Sequence, residues 1–209
     1  MSIPVFTKSE LLKDCVFDLD DFYFKWDRNA LSELFYLKTL YPKLKVTLFT
    51  VPNHPDCPFN AMRGFLRLVS RHKDWIQLAC HGWFHHTPTE AKNWTKKQTN
   101  FVLDQWVALG DEPFIQRGFK APGWQISDET YKALLERNFW VADHIYNEDR
   151  RPKGLKAYTL AHPWCFHGHT WDLPNKDPKY RNGIRQLFLE HKLPWDKNTR
   201  FWFVSEVVE

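Results

Sequence analysis

The chain has 209 residues, of which 43% are hydrophobic and 26% charged, the composition of one globular domain with a substantial core rather than of a disordered chain. A net charge of +4 with basic and acidic residues interspersed carries no nucleic-acid footprint, and no apolar run approaches the length of a membrane span. Residues 1–8 lack a charged segment followed by an apolar one, so a cytoplasmic place of action is expected. Four cysteines, at positions 15, 57, 80 and 165, have no C-x-x-C spacing, which excludes a zinc ribbon or a thioredoxin-type motif and reads as reduced thiols.

In chain order, residues 15–22 (CVFDLDDF) read as a strand interrupted by Asp18, Asp20 and Asp21, an unfavourable set to build into a core element without a use. Crowded carboxylates repel one another unless a cation sits among them. Residues 31–41 have helical periodicity, residues 45–51 form a β run ended by Pro52, and residues 60–72 form a second amphipathic helix through Met62, Phe65, Leu66 and Val69. The stretch 76–86 (IQLACHGWFHH) is an apolar run ending in histidines, a buried strand whose C-terminal end delivers His81 and His85 to one place. On a turn of helix, positions four apart share a face, and two imidazoles so held are two ligands for a borderline metal such as zinc.

Residues 87–90 look like a helix start, with a long helix running through Phe101, Val102, Leu103 and Trp106 to Gly110. Residues 118–124 follow a fourth strand; Ser127 caps a helix over 131–137; residues 139–142 form a fifth strand closed by Asp143. Two short β candidates, 157–161 and 164–167, surround Pro163, followed by a helix over about 182–191 and a last strand, 201–204. Such alternation predicts an α/β fold, a parallel barrel or doubly wound sheet in a single domain. In either, the site lies beyond the C-terminal strand ends, where Asp20, Asp21, His81, His85, Lys120, Asp143, His167 and His169 fall. The eleven tryptophans suit a core, or a surface on which sugar rings stack.

These stretches, in this order, resemble the polysaccharide deacetylase (NodB homology, carbohydrate esterase family 4-like) superfamily over about residues 14–206. FDLDDFY at 17–23 looks like its first motif, a pair of adjacent acids. HGWFH at 81–85 looks like its H-(S/T)-x-x-H motif, with Gly82 at the hydroxyl position. FKAPGW at 119–124 is similar to its third motif, with Lys120 where arginine is common. Asp143 sits where a fourth-motif acid falls, and His167 or His169 resembles the closing histidine. The resemblance implies a distorted (β/α)7-type barrel and a divalent metal, Zn²⁺ first and Co²⁺, Ni²⁺ or Fe²⁺ otherwise, held by Asp21, His81 and His85.

It also implies Asp20 as general base, His167 or His169 as acid toward the departing amine, and Lys120 orienting Asp20. Asp18 alternates onto the face of Asp20 and is the other candidate base. Trp83, Pro122, Trp124 and Trp164 fall beside the site as substrate-binding candidates, Trp83, Trp124 and Trp164 for stacking on a sugar ring. The activity implied is removal of acetyl from an N-acetylated sugar or glycan, with no nucleic-acid or membrane partner. Hydrolysis of another amide and a non-catalytic carbohydrate-binding role are the alternatives. A zincin-type protease is excluded because the place of its glutamate base is Gly82.

Overall fold

The computed structural model describes residues 12–23, 28–110, 112–159, 165–170, 193 and 195–208. Strands and helices alternate as β1 (Asp14–Phe22), α1 (Arg28–Leu40), β2 (Val46–Thr50), α2 (Phe59–Ser70), β3 (Ile76–His81), α3 (Lys96–Val107), β4 (Ile115–Lys120), α4 (Asp128–Glu136) and β5 (Trp140–Asp143). Three short strands follow, β6 (Ala157–Thr159), β7 (Cys165–His169) and β8 (Arg200–Trp202). The strands join in the order β6-β5-β4-β3-β2-β1-β7, with β8 paired to the first residues of β1, and all these ladders are parallel. The result is a curled, open half-barrel with helices around it, a distorted form of the expected (β/α) barrel. No helix among the described residues is long and apolar enough to cross a membrane.

Strand periodicity divides the core in two. Side chains alternate across a strand, so every second residue faces the helices and its neighbours face the barrel interior. Facing outward are Cys15, Phe17 and Leu19 of β1, Val46 and Leu48 of β2, Ile76, Leu78 and Cys80 of β3, and Val141 of β5; they pack with Leu34, Phe65, Leu103 and Leu134 from the helices. Facing inward, a smaller apolar plug of Val16, Phe49, Ala79, Trp140, Ala142, Tyr158 and Val204 fills the barrel. Inward positions nearer the C-terminal strand ends are polar: Asp18 and Asp20 beyond Val16, His81 beyond Ala79, and Lys120 on β4. The fold therefore spends its deepest interior on packing and collects its ionisable groups at one mouth.

Three expectations shift. The long helix does not begin near Thr87: a 3-10 turn, Glu90–Asn93, precedes α3, whose N-cap is Thr95. There the threonine hydroxyl accepts from Gln98 N while the Gln98 side chain accepts from Thr95 N, a capping box that satisfies two otherwise orphaned amides. The last strand closes at Trp202 and passes into a short 3-10 turn, Val204–Glu206. β7 extends to His169, so both candidate histidines lie on one strand. The helix expected over 182–191 and Trp164 lie outside the described residues. Ser127 caps α4 as expected, its Oγ accepting from Thr130 N at 3.1 Å.

Candidate metal centre

Asp20 and Asp21 are neighbours, so alternation alone would send one of them away from the mouth. Between Leu19 and Phe22 the β1–β2 register slips, and Asp21 adopts φ +62°, a left-handed conformation rare for a residue with a side chain. An irregularity of this kind re-aims a side chain, and here it turns Asp21 toward the histidines while Phe22 returns to the outer core. His81 ends β3. The chain then turns through Gly82 at φ +66° to His85 at φ +55°, a loop and not the helical turn expected from the spacing.

His85 Nε2 lies 3.0 Å and His81 Nε2 3.4 Å from the same oxygen, Asp21 Oδ1. His81 Nδ1 is 3.0 Å from the Lys120 carbonyl. A carbonyl only accepts, so Nδ1 carries the proton and the Nε2 of a neutral His81 presents a lone pair to the carboxylate. Two acceptors face each other there unless a cation lies between. Donor atoms around a tetrahedral ion with bonds of roughly 2.0–2.2 Å are about 3.3–3.6 Å apart; the 3.4 Å contact of His81 falls in that range and the 3.0 Å contact of His85 is somewhat shorter. A backbone carbonyl behind one ring nitrogen, as at His81, is the kind of outer partner that orients an imidazole to present its other nitrogen to a metal.

Charge gives a second test of fit. Asp18, Asp20 and Asp21 stand opposite a single ammonium, Lys120, whose Nζ is 2.9 Å from Asp18 Oδ1 and 2.7 Å from Asp20 Oδ1. Three carboxylates facing one ammonium leave an excess of negative charge, which a cation at this mouth would offset. Burial disfavours the Lys120 ammonium, yet Asp18 and Asp20 outweigh it and hold its pKa above the ordinary lysine value. Burial likewise pushes Asp18 up, but Lys120 and His167 win and hold it at about 2. Burial pushes Asp21 up, but the His81 and His85 rings against it outweigh that and hold its carboxyl below the ordinary carboxylate range.

The β1–β7 register pairs Asp18 with His167 and Asp20 with His169. His167 Nδ1 donates to Asp18 Oδ1 at 2.7 Å, leaving Nε2 at 3.6 Å from Asp20 Oδ2. That Asp20 oxygen is also 4.0 Å from His81 Nε2, so Asp20 sits between the His81 and His167 imidazoles. Asp20, His167 and His169 form a second group whose donor atoms lie within 4.8 Å of one another, beside that of Asp21, His81 and His85.

Other expected site residues are placed differently. Asp143 shares strand parity with Val141 and is buried; its Oδ2 accepts from Tyr131 Oη of α4 at 2.5 Å, and its Oδ1 from His144 N and Asn147 Nδ2. Trp83 is buried among Phe59, Phe84 and Phe101, in the manner of a wall. Pro122 is buried, and Trp124 is half-buried with its ring 4.2 Å from Lys120 Nζ and 5.5 Å from that of His167. Glu90, which the spacing arguments missed, holds the histidine loop through three backbone amides. Its only sequence signal was an acid four residues beyond His86.

No sequence-family profile matches the chain, and no curated protein sequence matches it. Solved structures do. A 4-alpha-glucanotransferase from Thermococcus litoralis superposes with a TM-score of 0.60 at 12% identity over 93% of this chain, which spans 40% of that enzyme's length. The Bc1960 peptidoglycan N-acetylglucosamine deacetylase gives 0.57 at 12% identity, covering 93% of this chain and 87% of its own. A family 4 carbohydrate esterase from Streptomyces lividans gives 0.52 at 11%, covering 86% and 90%. The chain thus shares its fold, at low identity, with these solved structures. At the strand ends of that fold this chain carries two groups of side chains able to hold a metal ion.

Proposed function

We propose that this protein is a metal-dependent hydrolase that removes acetyl from an N-acetylated sugar or glycan. The observation carrying the reading is the convergence of His81 Nε2 and His85 Nε2 on Asp21 Oδ1, with His81 Nδ1 committed to a backbone carbonyl. Asp21, His81 and His85 are the residues that hold the ion, and imidazole with carboxylate suits Zn²⁺ first. When bound, the ion supplies Lewis-acid polarisation of the acetyl carbonyl and lowers the pKa of water at the site.

The protein's own groups manage the protons. Asp20, between the metal-binding imidazole and His167, takes the proton of the attacking water, and the Lys120 ammonium offsets its charge. Hydroxide adds to the acyl carbon, the C–N bond breaks, and the departing nitrogen needs a proton. His167 gives it from Nε2, its ring oriented and its charge stabilised by Asp18 behind Nδ1. The products are acetate and a free amine. The geometry thus supports Asp20 over Asp18 as the base and His167 over His169 as the acid.

The sugar assignment draws on the like-folded proteins whose names specify carbohydrate chemistry, and on Trp124, half-buried beside Lys120 and His167 and available to a sugar face. The test is elemental analysis of purified wild type and His81→Ala, with acetate release from a panel of N-acetylated sugars on the same samples. About one metal per chain, lost in the variant together with acetate release, is expected. Metal without acetate release would discard the sugar; no metal, even after Zn²⁺ or Co²⁺ is added, would discard the whole reading.

A further inference from the structure

The loop carrying His85 is shaped by an acid that touches neither candidate ligand's ring. Glu90, at the start of the Glu90–Asn93 turn, accepts through Oε1 from Trp83 N at 2.5 Å and through Oε2 from Phe84 N at 3.3 Å and His85 N at 3.0 Å. Three successive amides aimed at one carboxylate make a backbone nest closed around an anion supplied by the chain itself. The nest needs a left-handed turn at each end, Gly82 at φ +66° and His85 at φ +55°. A histidine keeps that conformation only where its surroundings over-determine it.

Position 82 belongs to the same device. A Cβ there would fall 2.0 Å from Glu90 Oε1 and 2.7 Å from Pro122 Cγ. The departure from the H-(S/T)-x-x-H pattern is therefore paired with Glu90: the space a hydroxyl residue would need is taken by the carboxylate. Pro122 and Glu90 together close the space beside Gly82, next to His81.

We propose that Glu90 is the positioning residue of the metal centre, fixing the 82–85 loop so that His85 Nε2 meets His81 Nε2 at Asp21. This rests on reading Asp21, His81 and His85 as a metal site. It adds a fourth residue whose removal changes how metal is held without removing a ligand.

The experiment is Co²⁺ titration of wild type, Glu90→Gln and Glu90→Ala, read by calorimetry and by the visible d–d spectrum at saturation, with circular dichroism and a urea midpoint on each metal-free protein. Glu90→Ala should weaken Co²⁺ binding roughly 10- to 100-fold and alter the saturated spectrum, since the imidazole is held differently. Glu90→Gln, which keeps one acceptor oxygen, should fall between and carries the comparison if the alanine variant does not fold. A lower urea midpoint with wild-type affinity and spectrum would overturn the proposal, leaving Glu90 as fold support only. Absence of Co²⁺ binding by wild type would overturn the metal reading itself and this inference with it.

Discussion

Asp18 Oδ1 and His167 Nδ1 lie 2.7 Å apart although 149 residues separate them in the chain, and Asp18 has no solvent exposure. The pair makes one nitrogen of His167 a committed donor and aims the other at the mouth. Asp18→Asn should leave metal content unchanged and lower kcat on an amide substrate by roughly 100-fold or more, the scale of a misoriented general acid. An aryl acetate, whose phenolate leaves without a proton, should show little loss. Equal losses on both substrates would remove His167 from the acid role.

Among the lysines and arginines of the described residues, Lys120 alone pairs with both Asp18 and Asp20. Lys120→Met should cost about 3–5 kcal/mol in urea unfolding, because removing one partner leaves buried charge uncompensated. The acid dependence should move as well. Asp18 sits at about 2 in the folded protein against an ordinary 3.8, so its pairing adds stability that is complete above the ordinary value and lost as pH falls through about 2. Without the ammonium the folded-state value rises and the loss begins at higher pH. Unfolding midpoints between about pH 3 and 7 for both proteins would check this.

Asp21→Ala should lose metal and activity together, whereas Asp20→Asn should retain metal and lose rate. The first removes the oxygen on which both imidazoles converge; the second removes a proton acceptor and keeps its shape. A fully active Asp20→Asn would show that the base lies elsewhere.

Gly118 faces the barrel plug, where an added Cβ would stand 2.1–2.4 Å from the Trp140 ring. Gly118→Ala should therefore destabilise by about 1–3 kcal/mol through overpacking. Adding Trp140→Leu should recover part of that loss, since the collision is with that ring alone among its nearest contacts. Urea midpoints of the single and double variants give the coupling; strict additivity would mean that the ring is not what the methyl group meets.

Much of the architecture is local and was legible in the chain. Apolar runs of strand length alternating with amphipathic helices such as 60–72 specify a parallel α/β fold, and the alternation in Val16-Phe17-Asp18-Leu19-Asp20 already places the two aspartates on one face. The histidine pair was visible as spacing. The face on which Asp143 lies was not legible from pattern, because β5 is buried on both faces.

What the amino-acid sequence by itself determined was which residues lie at strand ends and which share a strand face, because those follow from a period of two and from turn chemistry within a few residues. Only the tertiary structure decided the partnerships. The bulge that swings Asp21 inward, the register that sets His167 against Asp18, the reach of Lys120 across to both carboxylates and the closure of three amides on Glu90 depend on how distant segments pack. Such pairings leave no periodic trace, since the charge that each group answers to is supplied by another part of the chain.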